Sequence, residues 1–185
     1  MSKVIFTAVI LAMCAAALAA EPQVESPAKQ AGALAQEFVS LLKPQLKQAM
    51  AEGGPTRAIA VCADIAPGIA DALSAGSGWT VKRVSLSARN ASRAVPDSWE
   101  RKVLLEFDRR QVEGEDAADI SFGEVVGGRY RYMQAQGVEP LCLLCHGKGL
   151  ADATQDALRQ YYPDDQATGY NLGQVRGAIS VSRNL

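Results

Sequence analysis

Near its C-terminus the chain carries Cys142-Leu143-Leu144-Cys145-His146. Two thiols three positions apart, followed at once by an imidazole, suit a small set of chemistries. Each thiol can add across a vinyl group of a porphyrin while the imidazole takes the iron, which is the C-x-x-C-H attachment pattern of c-type haem. Average composition yields this run by accident in about one chain in a thousand of this length. A redox dithiol also uses C-x-x-C, but it opens a helix early in a βαβ unit. This run sits late and is followed by Gly147-Lys148-Gly149. A zinc site drawn from Cys62, Cys142, Cys145 and His146 has the right donor types, but the neighbours Cys145 and His146 fit one tetrahedral ion poorly. One covalently attached haem c is the expectation, and a haem-free zinc protein is kept as a lesser alternative.

The N-terminus bears on the same question. Lys3 precedes an apolar run from Val4 to Ala19, and Ala17-Leu18-Ala19 fits the small-x-small rule for signal cleavage. Residues 1–19 are therefore expected to be a signal peptide, cleaved near Ala19 or Ala20. A lipoprotein reading through Cys14 is disfavoured, because Met13 stands where such sites prefer a small residue. Export to the periplasm, with the haem-attachment machinery acting there, is the expected location. The formal net charge is −1, and losing Lys3 makes it one unit more negative. Nothing here suggests nucleic acid, and no later apolar run suggests a membrane span.

Counting narrows the chemistry further. Beyond the signal there are three cysteines, two of which the thioethers consume, so Cys62 is left without a disulfide partner in an oxidising compartment. The chain has one histidine, so a second axial imidazole is excluded. A sixth iron ligand must be Cys62, a methionine (Met50 or Met133), a lysine, a tyrosine, or nothing. Ala58, Cys62, Ile65, Ile69 and Leu73 recur at helical spacing, which puts Cys62 on an apolar face. A small buried hydrophobe is the plain alternative for that cysteine. Arg83 and Arg89 are candidate partners for haem propionates, with solvated surface arginines as the alternative.

The elements that must position these groups follow from periodicity. Residues 20–28 read as an extended tether and 29–185 as one domain. A helix with Leu34, Phe38, Leu41, Leu42, Leu46 and Met50 on one face is kinked at Pro44 and ended by Gly53-Gly54-Pro55. The next helix carries Cys62 to about Ser74, with a kink expected at Pro67, one turn beyond Cys62, because Pro67 offers no amide to the Ala63 carbonyl. A strand spans 79–86, a polar loop 87–95, and a helix runs from Pro96 to about Val112 with Trp99, Val103 and Phe107 inward. Strands at 120–126 and 129–135 flank a two-residue Gly127-Gly128 turn. A helix near 151–161 and a strand over 174–182 complete the chain. The class is α+β, a small antiparallel sheet with helices on one side and at the N-terminus.

Several stretches carry a resemblance. They are Ala60-Val61-Cys62 with Ala66-Pro67, Val81-Lys82-Arg83-Val84-Ser85, Arg89-Asn90 before Pro96-Asp97-x-Trp99-Glu100, Cys142-x-x-Cys145-His146-Gly147, Tyr162-Pro163-x-Asp165-x-Ala167-x-Gly169-Tyr170, and Gly177-Ala178-Ile179-Ser180-Val181. Over most of the mature length the chain resembles the single-haem c-type cytochrome domain family with a PAS-like fold, long catalogued as a domain of unknown function. The resemblance implies iron held by His146 and by Cys62 on an N-terminal helix. Ala91 and Arg93 depart from the proline and asparagine that the family often shows there, which bears on the shape of that loop.

A thiolate opposite histidine favours ferric iron and lowers the reduction potential relative to His/Met ligation. Two functions are compatible with that ligation: electron transfer with a redox partner protein, or sensing in which Cys62 leaves the iron on reduction and signals through a separate partner. The absence of any kinase or receptor part in the sequence favours the first. No second histidine stands ready as an acid–base group, so an enzyme is not expected.

Overall fold

The computed structural model describes residues 25–185. The expected signal peptide 1–19, Cys14 and residues 20–24 of the expected tether lie outside the described residues. Helix α1, Pro27–Ser77, begins inside the expected tether, two residues before the domain was expected to start. Ser26 caps it by accepting from the Lys29 amide, and Pro27 stands in the first turn, where its missing N–H costs nothing. Gly53 and Gly54 interrupt the helix with φ of −158° and +66°, so α1 is two helical arms meeting at a break. The expected kinks at Pro44 and Pro67 do not appear as non-helical backbone, which is confined to the two glycines.

Strand β1 is Thr80–Val84. A single turn, α2 (Ala91–Ala94), sits inside the expected polar loop, and α3 is Ser98–Val112. Asp97 and Glu100 form a capping box at the start of α3. Strands β2 (Ser121–Val126) and β3 (Arg129–Gly137) are joined at Gly127-Gly128, both at positive φ, as a two-residue hairpin requires. A 3₁₀ turn (Pro140–Cys142) runs into α4 (Leu143–His146), so the C-x-x-C-H run is helical, not an open loop. Helix α5 (Asp152–Tyr161) and strand β4 (Val175–Asn184) follow. The four strands form one antiparallel sheet in the order β1-β4-β3-β2, which makes the last strand central.

Both faces of the sheet are covered. Ala31, Ala35, Phe38, Ala66 and Ala70 of α1 pack on Val81, Tyr132, Ile179 and Val181. Val103, Leu104 and Phe107 of α3 pack on Val84, Met133, Ala135 and Ala178 from the opposite side. The expectation of helices on one side is therefore corrected: β4 alternates Ile179 and Val181 toward α1 with Ala178 and Ser180 toward α3, so each face carries apolar surface that needs a cover. Small alanines on α1 let its backbone lie close to the sheet. Apolar surface removed from water on both faces stabilises at about 25 cal/mol per Å².

A fully buried carboxylate, Glu100, lies between α3 and the sheet. It accepts from Lys82 Nζ (2.9 Å), Ser180 Oγ (2.7 Å) and the Asp97 amide (2.9 Å). Buried charge is tolerated when its lone pairs are filled in this way. The contacts tie β1 and β4 to α3 directly behind the segment that builds the cleft.

Candidate functional site

A cleft opens between the second arm of α1, the end of β1, the 85–94 segment, the C-x-x-C-H turn and the start of β4. It encloses about 1230 Å³, its open mouth included. Cys62, Cys142, Cys145, His146, Arg83 and Arg89 all border it, so residues up to 84 positions apart in the chain converge there. Met50 also borders it. Met133 does not: it is fully buried in the core between the sheet and α3 and is removed as an iron ligand. Within the described residues the three cysteines are free thiols, and no three His, Cys, Asp or Glu side chains gather as a metal-ion cluster. The four residues of the zinc alternative share a cleft without converging on one point, which counts against it.

Local structure explains each placement. Cys62 is carried by α1 one turn beyond Ile59, and Ile59 packs with Ala157 and Leu158 of α5 and with Cys145. This small third core locks the cysteine helix to the C-x-x-C-H turn. Gly147 ends that turn because a Cβ there would lie 2.6 Å from the Leu143 carbonyl oxygen, while its N–H donates to that same oxygen at 2.9 Å. The Tyr170 and Gly169 amides donate to the carbonyls of His146 (2.9 Å) and Gly147 (3.0 Å). The segment after α5 is thus zipped onto the turn, and the Tyr170 ring stands edge-on to His146 at 6.3 Å.

The tautomer of His146 follows from its neighbours. Nδ1 lies 2.7 Å from the Ala167 carbonyl oxygen, which only accepts, so Nδ1 carries the proton. Nε2 lies 3.3 Å from Arg89 Nη1, which only donates, so Nε2 holds a lone pair. Burial, together with Arg176, Arg89 and Arg83, holds the imidazole well below its usual pKa, and it is neutral at pH 7. A neutral imidazole with one nitrogen fixed by a carbonyl is ready to ligate a metal through the other.

Arginines dominate the charge of the cleft. Arg83, with Arg176 at the start of β4, lies among groups that include no carboxylate: those acting on Arg83 are Arg176, Arg89, Cys62 and Tyr162. Burial and Arg176 bring Arg83 down from 12.5 to about 10, and burial lowers Arg176. Arg176 Nε is buried without a hydrogen-bond partner among the described residues. Two half-buried cations without acids form a pocket for an anion. Burial pushes the Cys62 thiol up, while the same arginines pull it toward thiolate. Burial raises Cys145 to about 11.

Arg89 was expected at a propionate; it borders the cleft, with Nε and Nη2 committed within the chain and Nη1 beside His146 Nε2. It grips Asp165 through Nε (3.2 Å) and Nη2 (3.1 Å), and Nη2 also donates to the carbonyls of Cys145 (2.5 Å) and Ala167 (3.1 Å). Arg176 and Asp165 are the site residues that sequence reasoning missed. A lone charge in the apolar Val175–Val181 run is the signal that pointed to Arg176. Asp165 stands in a stretch that carries the resemblance, but its role depends on a partner 76 positions away.

The second arm of α1 is also notably apolar. An 18-residue stretch of α1 reaches a mean hydropathy of 1.5, enough by composition to cross a membrane. Here that helix covers the sheet and one wall of the cleft.

Three comparisons with known proteins bear on this arrangement. Among solved structures, the crystal structure of the cyanobacterial heme-protein Tll0287 matches with a TM-score of 0.64 at 24% identity, over 86% of this chain and 97% of that one. At that identity the likeness carries the fold, and it agrees with the α+β class read from the sequence. The curated proteins give no match. The family profile described as Tll0287-like spans residues 15–183, including both arms of α1, the C-x-x-C-H turn and β4. On that match the resemblance drawn from the sequence holds at the level of family, and the chain belongs to the Tll0287-like family.

Proposed function

We propose that this protein is an exported, periplasmic, mono-haem c-type cytochrome that transfers electrons and is not an enzyme. The observation that carries the reading is the make-up of the cleft: Cys142 and Cys145, the chain's one histidine with a free Nε2, Cys62, and two half-buried arginines without acids. The family's solved member, described as a heme-protein, supports the same cofactor.

The donor set fits haem group by group. Cys142 and Cys145 hold it through thioether bonds, His146 offers Nε2, and Cys62 offers a thiolate from the α1 wall. Arg83 and Arg176 neutralise the two propionates with charge-assisted hydrogen bonds. When bound, the haem supplies a one-electron iron couple.

The chain's own residues set how that couple behaves. Burial holds the free Cys62 as the thiol against the pull of Arg83, Arg176 and Arg89, so iron would be the charge that takes it to thiolate, a donor that favours the ferric state. The third core holds the cysteine helix against the C-x-x-C-H turn, so Cys62 and His146, the residues that would hold the iron, are carried by elements that pack on each other. Little reorganisation on electron exchange with a redox partner protein follows from that packing. The Ala167 carbonyl keeps His146 in one tautomer in both oxidation states.

The test is the visible spectrum of protein exported in cells that attach haem, oxidised, then dithionite-reduced, with and without carbon monoxide. A covalent haem whose reduced spectrum ignores carbon monoxide supports electron transfer. Ready carbon monoxide binding means that Cys62 leaves the reduced iron, and a redox or gas sensor replaces the proposal. Absence of covalent haem overturns both.

A further inference from the structure

The Arg89–Asp165 ion pair is not needed to build either core, yet it is well buried, with side chains 14% and 8% exposed. It also joins three separate chain segments. Arg89 comes from the loop after β1, Cys145 from the C-x-x-C-H turn, and Asp165 and Ala167 from the segment after α5. The Ala88 carbonyl accepts from the Gln166 amide at 3.0 Å, beside the pair. Asp165 Oδ1 in turn accepts from the Ala167 amide at 2.8 Å. The Ala167 carbonyl therefore has its own amide fixed by Asp165 and its oxygen fixed by Arg89 Nη2, and that oxygen receives the Nδ1 proton of His146.

We infer that Arg89 and Asp165 act together as the positioning residues for His146, fixing the carbonyl that selects its tautomer and keeping the charge beside it balanced. The inference deepens the proposed haem reading and rests on it. The pair does two things through the same contacts. It fixes the ring, because the Ala167 oxygen cannot swing away while Arg89 and Asp165 hold both ends of its peptide environment. It also keeps the proximal side neutral, because the Arg89 cation 3.3 Å from Nε2 is matched by the Asp165 carboxylate. The Nη1–Nε2 contact is released when Nε2 binds iron, while the bonds to Asp165, Cys145 and Ala167 remain. Carbonyl partners of this kind orient metal-bound imidazoles and raise their basicity.

The charge argument gives the pair a signature that packing alone does not. Asp165→Asn leaves a buried cation beside the iron ligand and favours the ferrous state. Arg89→Gln leaves a buried anion and favours the ferric state. The two potentials should move in opposite directions, each by at least tenfold in the ferric-to-ferrous ratio, which is about 59 mV for one electron. The double variant should return toward the parent potential while its imidazole loses the fixed Nδ1 proton.

The experiment uses ¹⁵N-labelled full-length protein exported in cells that attach haem. His146 is the chain's one histidine, so its imidazole nitrogens give an unambiguous signal. Opposite shifts, with an Nδ1 proton held in the parent and freely exchanging in the double variant, support the inference. Shifts of the same sign, or an Nδ1 signal unchanged in the double variant, overturn it. Where a single variant fails to accumulate, the double variant decides, because it leaves no unpaired buried charge. If the parent carries no haem, the proposed function fails by itself, and the imidazole comparison of parent with double variant still decides this inference.

Discussion

Replacing Arg83 with methionine should stabilise the haem-free protein and destabilise the haem-bound one. Burial and Arg176 bring Arg83 from 12.5 to about 10. At 1.36 kcal/mol per pH unit, that drop corresponds to about 3 kcal/mol by which burial disfavours the cation. Methionine keeps most of the apolar stem and removes the charge, so the haem-free chain should gain about 1–3 kcal/mol. A chain of this size shifts its melting temperature by about 2–4 °C per kcal/mol, which makes the gain readable as several degrees. With haem present the same arginine pairs with a propionate. Losing a hydrogen bond between charged groups then costs about 1.5–3 kcal/mol. The assay is thermal unfolding of parent and Arg83→Met, each made with and without haem attachment. Melting temperatures that move the same way in both forms would refute the propionate role, because a cation serving only the protein has the same worth in both.

Three further outcomes are expected. Cys62→Ser should keep the covalent haem but change the ferric spin state and raise the potential, read by electron paramagnetic resonance and redox titration; unchanged ferric spectra would remove Cys62 from the iron. The haem-free chain should lose stability as pH falls from about 6.5 toward 5, because the unfolded histidine binds a proton there that buried His146, facing Arg176, Arg89 and Arg83, refuses. Free carboxylates titrate lower, so urea unfolding across that window should show a slope of up to about 1.4 kcal/mol per pH unit, and a flat profile would contradict the buried neutral imidazole. Glu100→Ala should cost about 1–3 kcal/mol in urea unfolding, since it leaves buried Ser180 without its acceptor and breaks the bond from Lys82; a cost under 1 kcal/mol would show that the carboxylate is not an effective anchor.

Much of the fold was legible because its signals are local. Alternating residues marked the strands, Gly127-Gly128 marked the hairpin, and Asp97 with Glu100 stands at the start of α3. The strand order β1-β4-β3-β2 and the second helical layer were not legible, because both depend on which faces meet across long separations. Met133 illustrates the limit. Its residue type suited iron, but its place on β3 turns it into the α3-side core. Arg89 illustrates it from the other direction: the sequence marked it as a cation, and only Asp165 and two carbonyls, brought in from other segments, define its work.

The sequence by itself determined what lies within a few residues: the Cys142–His146 spacing, the lack of a second histidine, the odd cysteine left at position 62, and the helix and strand periods. These are set by bond geometry and by counting. The tertiary structure alone decided that Cys62 borders the same cleft as His146, that Nε2 and not Nδ1 is left free, and that Arg83 and Arg176 line it without acids. Those properties come from long-range packing and desolvation, which no local run of residues encodes.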